Sequence, residues 1–395
     1  MAAVVATAVV LFLPRLANAP GWRAAITPLA SIIGSGFLVL GPILDTAYGF
    51  YAPLVMAGLC LGGYWFGAVI RYNIATLARP GSHRDVWQIR LERMASWSLA
   101  FAYIISVAYY LNLFGAFGVS LTPVDDALHA KLLTSAVYVL VLVAGWVWGF
   151  RALERLEQLS VSAKLAIIAG LLTGLAAYFF DRVSAGALVL NLPLVSGWSG
   201  VALAFGLIVT VQGFETSRYL GAEYDAHTRI ASMRLAQWIA SAIYLAYIVL
   251  LAYVFRSGEF ALTETAIIDM MVVVAPILPM LLVAAALSAQ FSAAAADTSG
   301  SGGLIAELTR NRISPRHAYA LLSVVGLILT WSSDIFAIIA YASRAFALYY
   351  ALQSLIATLA AWKNRADRRL AFLFGALAVL GFLILIFGDA AEGAE

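Results

Sequence analysis

The chain has 395 residues, of which 63% are hydrophobic and 11% charged, and its formal net charge is +3. Soluble domains carry about 25% charged residues, so this composition excludes an ordinary soluble domain and indicates a protein whose solvent is lipid. The one cysteine, Cys60, excludes an internal disulfide bond and a cysteine-rich metal site.

The N-terminal segment, residues 1–24, begins with a short apolar stretch from Ala2 to Pro14. A transmembrane helix needs about 20 apolar residues, and this stretch also lacks the basic start of a secretory signal. We interpret the segment as an interfacial or partly inserted helix on the cytoplasmic side. A true span is the alternative.

Longer apolar segments follow, and each predicts a helix that crosses the bilayer. A shorter apolar segment, residues 266–274, predicts a surface helix on the outer side. The predicted fold class is an all-α integral membrane protein with about 11 transmembrane helices. The predicted spans run roughly over residues 25–45, 49–72, 95–119, 132–150, 159–180, 198–220, 231–255, 276–306, 317–331, 335–361 and 370–388.

Two spans carry residues that interrupt an α helix. Gly34 to Gly36, with the sequence Gly-Ser-Gly, lies near the middle of the first span, and Gln212 to Glu215 lies late in the sixth. Irregular backbone at membrane depth is tolerated only where protein or a water-filled cavity covers it. Two interrupted spans about half a chain apart are typical of a secondary transporter's binding site. Alternatively, the first motif is a small-residue patch that packs against a neighbouring helix.

The basic residues predict the orientation of the spans. Nineteen of the 24 lie in the loops on the side of residue 24, and the other side holds three: Lys131, Arg182 and Arg256. The positive-inside rule therefore places residue 24 in the cytoplasm and the acidic C-terminal tail outside. We predict a multi-pass protein of the cell membrane with a cytoplasmic N-terminus. The predicted membrane is the bacterial inner membrane.

The order of the spans predicts an internal repeat. Residues 25–182 and 197–362 hold five spans each, and each set opens with its interrupted span. The two sets begin on opposite sides of the membrane, which is the pattern of an inverted-topology repeat. Residues 363–395 hold the eleventh span and the C-terminal tail.

An interrupted helix leaves unpaired N–H groups at the start of one half and unpaired C=O groups at the end of the other. The N–H groups favour an anion, and the C=O groups favour a cation. Gly34 to Phe37 could therefore cradle a carboxylate, and carbonyls from Ile208 to Gln212 could receive an amine. A zwitterionic amino acid matches both.

Three stretches resemble one transporter family. Residues 30–41, Ala-Ser-Ile-Ile-Gly-Ser-Gly-Phe-Leu-Val-Leu-Gly, resemble the first helix of the amino acid–polyamine–organocation (APC) transporters. A second resemblance is to the family's sixth helix and its charged exit, and it is carried by residues 213–217, Gly-Phe-Glu-Thr-Ser, by residues 221–225 and by Arg229. A third is to a Lys-Leu pair in the family's fifth helix, which is Lys164-Leu165 here. The resemblance covers about residues 25 to 362. It implies the LeuT-type fold, a five-plus-five inverted repeat with helices 1 and 6 broken, and alternating-access transport of amino acids or related amines.

The chain departs from the family pattern in three places. Ala226-His227 stands where the family has Asn-Pro, and about 11 spans replace the usual twelve. Residues 296–303 are more polar than expected and are similar to the eighth helix of sodium–solute symporters. These departures keep sodium-coupled symport open beside proton coupling.

The resemblance adds the third span to the candidate site, because this span lines the substrate cavity in the family's fold. Its tyrosines could close over a substrate or stack on an ammonium group, although most membrane aromatics pack or anchor at the interface. The candidate substrate-binding residues are Ile33, Gly34, Ser35, Gly36, Phe37, Tyr109, Tyr110, Ile208, Gln212 and Phe214.

Charged groups inside spans are costly, so each one is a functional hypothesis. In proton-coupled members of the family, a lysine matching Lys164 occupies the place of the second sodium, near hydroxyls that here would be Ser288 or Ser292. A lysine that snorkels to the interface is the alternative. The resemblance also implies that Glu215 is a protonatable carboxylate beside the sixth-helix break. Alternatively, Glu215 is structural and bonds to backbone or to Arg218.

Two further charges lie within spans. Asp297 could bind a cation with Thr298 and Ser299, pair with Lys164, or cap a helical kink. We predict that the side chain of Arg344, in the tenth span, pairs with a carboxylate or with carbonyl groups. The candidate ion-coupling residues are Lys164, Glu215, Ser288, Ser292 and Asp297.

No nucleotide-binding loop, nucleophile elbow or zinc-protease motif is present, so we predict no enzyme. We predict no metal site and no cofactor besides H⁺ or Na⁺ as the coupling ion. The dispersed basic loops are explained by topology rather than by nucleic acid. The predicted partners are a small substrate, an amino acid or amine, and the lipid bilayer. A non-transporting membrane sensor or partner subunit with the same fold is the alternative of another class.

Overall fold

The structure is a computed structural model that describes residues 2–34, 36–79, 85–147 and 151–391, with the backbone alone described for residues 151–159 and 222. All regular secondary structure in these ranges is helical. Eight helical stretches within them are long and apolar enough to cross a membrane. The prediction of an all-α membrane protein is confirmed.

The helices are numbered in chain order. Short 3-10 helices occupy Gly49–Tyr51, Ile208–Val211, Phe214–Ala222 and Arg365–Asp367. The α helices are α1 (Ala2–Phe12), α2 (Pro14–Ala17), α3 (Pro20–Ile32), α4 (Gly36–Tyr48), α5 (Ala52–Leu77), α6 (Val86–Val119), α7 (Ala127–Val147), α8 (Arg151–Ser184), α9 (Gly197–Gly206), α10 (Ala226–Leu251), α11 (Ala266–Val274), α12 (Leu278–Leu308), α13 (Pro315–Ser332), α14 (Ile335–Lys363) and α15 (Arg368–Phe387).

Each predicted span corresponds to helical structure, and the two interrupted spans are divided. The first span is α3 followed by α4, and the sixth is α9 followed by two 3-10 helices. The helix of the third span begins well before the predicted residue 95, because Asp85 caps α6 at Val86. The Asp85 carboxylate accepts from the Gln88 amide, and the Gln88 side chain accepts from the Asp85 amide.

The helices pack in two groups. In one, α10 contacts α3, α4 and α5, and in the other, α6 and α13 contact each other and both contact α7 and α12. Two long helices join the groups: α8 contacts α3, α10 and α12, while α14 contacts α5, α6, α9 and α15. The broken spans therefore lie where the two groups meet. The equivalence of the two halves as a five-plus-five repeat stays a prediction.

The N-terminal helix α1 packs against α8. Val4 of α1 lies against Gly170, a residue within the predicted fifth span. The opposite side of α1 exposes Val5, Val9 and Val10. These contacts fit a helix in contact with lipid, and the interpretation of residues 1–24 as an interfacial or partly inserted segment stays a prediction.

The contact between α7 and α13 provides a test of packing. Tyr138 is fully buried, its hydroxyl has no hydrogen-bond partner among the described residues, and a methyl group on Gly326 would overlap that hydroxyl. We expect Gly326→Ala to lower the free energy of unfolding by about 1–3 kcal/mol. Tyr138→Phe should cost little, because it removes a hydroxyl with no bond to lose. It should restore little of the loss in Gly326→Ala, because the ring carbon Cζ would still overlap the new methyl group.

Thermal unfolding of the purified variants in detergent measures both effects. If Tyr138→Phe were as damaging as Gly326→Ala, the Tyr138 hydroxyl would make a hydrogen bond that contributes to stability. A Gly326→Ala variant as stable as the wild type would show that the Tyr138 ring yields to the new methyl group.

Candidate functional site

The first span breaks between α3 and α4. The helix ends at Ile32, Ile33 leaves helical geometry with φ −84° and ψ 59°, and α4 begins at Gly36. Ser35 lies outside the described residues. A buried helix end needs partners for its free carbonyls, and the Tyr244 hydroxyl of α10 lies 2.8 Å from the Ile32 carbonyl oxygen.

The sixth span breaks over a longer stretch. The helix α9 ends at Gly206, and the chain continues through the first 3-10 helix to an extended Gln212. The Ser343 hydroxyl of α14 donates to the Gly206 carbonyl over 2.6 Å and accepts from the Val209 amide over 3.0 Å. This hydroxyl therefore takes the place of a missing helical hydrogen bond and fixes the break to α14.

Gly213 joins the two breaks. Its φ is +115°, a region in which a side chain is strained, and the chain then winds as a 3-10 helix from Phe214. A Cβ atom at Gly213 would lie 2.5 Å from Cβ of Ser31 and 2.6 Å from the Ile32 amide nitrogen. The hydroxyl of Tyr244 also lies 2.7 Å from the Thr210 carbonyl oxygen, so one residue of α10 reaches both breaks. The two interrupted stretches are thus in direct contact.

Two tyrosines of α6 close this junction. Gly34 lies against the Tyr110 ring, and Gly36 lies against the Tyr109 hydroxyl. The side-chain amide of Gln212 donates to the Tyr110 hydroxyl over 3.1 Å, and its Oε1 has no partner in the described part of the chain. The structure therefore brings Gly34, Gly36, Tyr109, Tyr110 and Gln212 together.

The other candidate side chains do not join this cluster and make separate contacts. The ring of Phe37 packs on Tyr247 of α10 with a centroid distance of 4.5 Å, so its amide rather than its ring belongs to the break. Ile208 points toward Gly62 of α5. Ile33 is buried at the break. Phe214 stacks on Tyr350 of α14, with centroids 5.3 Å apart and planes 18° apart.

The space beside the junction is small. A cavity of about 10 Å³, room for about one water molecule, lies between α3, α5 and α10. An amino acid needs more room, so the helices must separate before one can bind. The cavity is lined by Ile32, Cys60, Gly63, Tyr64, Val211, Gln237, Ala240, Ser241 and Tyr244.

Lys164 of α8 is buried against α3. Its side chain is 2% exposed, and Nζ donates to the Ala30 carbonyl oxygen over 2.7 Å. The amine therefore points to the chain just before the first break rather than to the membrane interface. One turn earlier on α8, the Ser160 hydroxyl lies 2.8 Å from the Ser288 hydroxyl of α12. The Ser292 hydroxyl lies 3.4 Å from the Ala289 carbonyl oxygen in its own helix.

Glu215 is fully buried beneath the sixth-span break. Its Oε2 accepts from the Gly213 amide and from the Tyr350 hydroxyl, both over 3.0 Å, and its Oε1 has no partner among the described residues. Of the two pairings predicted under the structural alternative, the bond to backbone is present at Gly213 and the bond to Arg218 is absent. The Arg218 guanidinium instead donates to Glu92 of α6 over 2.5 Å.

Asp297 of α12 lies on the side that faces α6. It is 3% exposed, and its carboxylate accepts from the Ser106 hydroxyl. The carboxylates of Asp297 and Glu215 are close enough to interact electrostatically. The Thr298 hydroxyl donates to Ala294 in its own helix over 2.7 Å, so it is engaged away from Asp297.

A polar network lies beside Glu215. We use the name Arg218 network for Asn73, Glu92, Arg218 and Gln353. The Gln353 side chain of α14 accepts from Arg218 over 2.6 Å and from Asn73 of α5 over 2.8 Å. With the ion pair to Glu92, this network joins α5, α14 and the sixth-span exit to α6.

The α9 half of the sixth span contacts the residues that follow α15. Arg344 of α14 donates to the Gly388 carbonyl oxygen over 2.7 Å, which is the predicted pairing with a carbonyl. The Asp389 amide donates to the Ala202 carbonyl oxygen of α9 over 2.9 Å. The residues after α15 therefore lie against the α9 half of the broken span.

Sequence reasoning missed the residues that hold the breaks, namely Tyr244, Ser343, Tyr350, Glu92 and Gln353. Tyr244 and Ser343 lie inside uninterrupted helices, where no local pattern marks them. Only Glu92 carried a signal, because it is an acidic residue near the cytoplasmic end of a span.

The helices define a multi-pass α-helical membrane protein in which two broken helices meet at a buried junction. The chain belongs to the APC superfamily: the sequence model of a family described as "APC superfamily transporter" matches residues 14–388. It is therefore a transporter by family. A protein of Aquifex aeolicus (strain VF5), described as uncharacterized, is 40% identical over 401 residues that cover 98% of this chain and 97% of the relative.

Proposed function

We propose that this protein is a secondary active transporter of amino acids or related small amines that works by alternating access within a LeuT-type fold. The observation that carries the proposal is the contact at Gly213, where both interrupted spans meet. Main-chain groups that helices normally pair are gathered there at one place, which is a design typical of transporter binding sites.

The chemistry of the junction supports a zwitterionic substrate. The first amides of α4, from Gly36 onward, stand at the positive end of a helix and favour a carboxylate. Carbonyls around Ile208 and the Gln212 Oε1, which lacks a partner in the described chain, favour an ammonium group. Tyr109 and Tyr110 close the junction and would move to admit the substrate.

The helix packing supports alternating access. The Arg218 network joins the group that contains α5 to the group that contains α6. Opening toward the cytoplasm must separate the sixth-span exit from α6, and so must break the bond between Arg218 and Glu92. Under the predicted orientation, with a cytoplasmic N-terminus, this network is the inner gate.

Proton coupling is favoured over sodium coupling by Lys164. Its ammonium already supplies positive charge to the Ala30 carbonyl, so a sodium ion there would meet a like charge. Loss of the lysine's proton would weaken this tie between α8 and α3. Sodium coupling is the second candidate, because the hydroxyl oxygens of Ser160 on α8 and Ser288 on α12 lie 2.8 Å apart and could bind a sodium ion.

A ligand screen tests the proposal. Purified protein is unfolded thermally with a panel of amino acids and small amines, across pH and with sodium or choline. At least one compound should raise the unfolding temperature, and its amidated and N-acetylated forms should bind about tenfold more weakly or worse. Stabilisation by both blocked forms equal to the parent would contradict the zwitterion site. Binding without any flux in liposomes would support the sensor alternative.

A further inference from the structure

A second buried carboxylate lies far from the junction, near the outer end of the first span. Asp45 of α4 is 5% exposed, and its Oδ1 has no hydrogen-bond partner in the described ranges. The side chain of Asn191 is its hydrogen-bonding neighbour. A buried carboxylate with an unused oxygen is costly unless a cation or a donor compensates it.

Asp45 lines a cavity of about 10 Å³, which we call the outer cavity. A space of that size holds one water-sized particle. Its walls come from α4, from the turn after α10 and from α11. It is lined by Pro42, Asp45, Thr46, Arg256, Ser257, Gly258, Phe260, Ala261, Leu262, Ala266 and Met270.

Specific hydrogen bonds build the wall opposite Asp45. Asn191 donates to the Phe255 carbonyl oxygen over 2.9 Å and accepts from the Ser257 amide over 3.0 Å. The Arg256 amide donates to the Glu259 carboxylate over 3.1 Å. These bonds hold the turn in place opposite Asp45.

The nearby positive charge does not neutralise Asp45. Arg256 lines the outer cavity, but its side chain is exposed and no ion pair within 4.0 Å joins it to Asp45 in the described part of the chain. The single carboxylate of Asp45 balances one positive charge. The positive charge of Arg256 at the rim disfavours a divalent cation. The oxygens of Asp45, Thr46 and Ser257 suit a hard cation or an N–H donor.

We propose that the outer cavity is a binding site for a water-sized monovalent cation, sodium or ammonium, held by the Asp45 carboxylate beneath α11. The site is separate from the junction of the broken helices and from Lys164. The proposal concerns binding alone, so it stands or falls whether or not the protein transports an amino acid.

The test uses the full chain, purified in detergent at neutral pH. Its unfolding temperature is measured while NaCl or NH₄Cl replaces choline chloride at constant ionic strength. The wild type should show a saturable rise with sodium, with ammonium or with both, and comparison of the two salts identifies the ion. Asp45→Asn should weaken the apparent affinity about tenfold or more, because it removes the charged ligand.

Matched variants distinguish a cation in the outer cavity from a general effect of salt on stability. Glu264→Gln removes a carboxylate from the segment before α11 without lining the cavity, so it should leave the cation response unchanged. Arg256→Gln removes the competing charge, so it should keep or tighten the affinity. Thr46→Val tests the site independently if Asp45→Asn does not fold, and it should weaken the response.

Three results would overturn the proposal. The first is a wild-type response to sodium and ammonium no greater than to choline. The second is a cation response that survives Asp45→Asn or, where that variant does not fold, Thr46→Val. The third is a response lost in Ser288→Ala and kept in Asp45→Asn, which would place the cation beside α8 and α12.

Discussion

Lys164→Arg is expected to abolish most proton-driven uptake, by roughly a hundredfold, while substrate binding persists. Arginine can still donate to the Ala30 carbonyl, but its guanidinium does not lose a proton in proteins. A lysine amine, unlike a guanidinium, can release a proton, and we assign that role to Lys164. Uptake driven by a pH gradient measures proton coupling, and thermal stabilisation by the ligand measures binding. The two measurements together show which of the two properties the variant has lost.

Two further variants complete this test. Lys164→Met removes the donor as well as the charge, so it should lower stability in addition to uptake. Lys131→Arg makes the same exchange in α7 at the outer end of the fold, and it should behave as the wild type. Proton-driven uptake that persists at the wild-type rate in Lys164→Arg would show that another group carries the proton.

Gly213→Ala is expected to disable the junction. The residue's φ of +115° costs about 1–3 kcal/mol for any side chain. The added methyl would also approach Cβ of Ser31 within 2.5 Å, and such overlap costs about 1–3 kcal/mol more. We expect a lower unfolding temperature and loss of ligand binding, because the two broken helices are pushed apart.

Gly58→Ala is the matched control. Gly58 lies within α5 with no heavy atom of the described residues within 4 Å of an added Cβ, so the substitution should leave stability and binding intact. Ligand binding by Gly213→Ala with wild-type affinity would mean that the substrate does not depend on contact between the breaks.

The two breaks were predictable because their cause is local. Glycine within an apolar run opposes helix formation wherever the rest of the chain lies. The same holds for α11, whose observed bounds Ala266–Val274 match the predicted segment, since this short apolar stretch follows polar residues and stops just before Ala275-Pro276, where proline disfavours a continuing helix. The form of the second break was less predictable: after Gly213 the chain winds as a 3-10 helix that continues to Ala222.

The groups that hold the site depend on contacts distant in sequence. Tyr244 meets Ile32 across 212 residues, and Ser343 meets Gly206 across 137. Nothing in the neighbouring sequence distinguishes these side chains from ordinary residues of a membrane helix. Only the folded arrangement reveals them.

Arg218 shows how sequence proximity misled. It stands three residues after Glu215, a spacing that places two side chains on one side of a 3-10 helix. The Glu215 carboxylate is instead engaged by the Gly213 amide and the Tyr350 hydroxyl, and Arg218 turns to Glu92 of α6. The partner that tertiary packing supplies takes precedence over the partner that is near in sequence.

Uptake into liposomes tests the central claim most directly. Purified protein is reconstituted, and a labelled compound that stabilises it is offered under an imposed pH gradient, with a sodium gradient and no gradient in parallel. We expect accumulation above the external concentration under the pH gradient, which a protonophore abolishes. A compound that binds but is never accumulated under either gradient would contradict active transport by this protein.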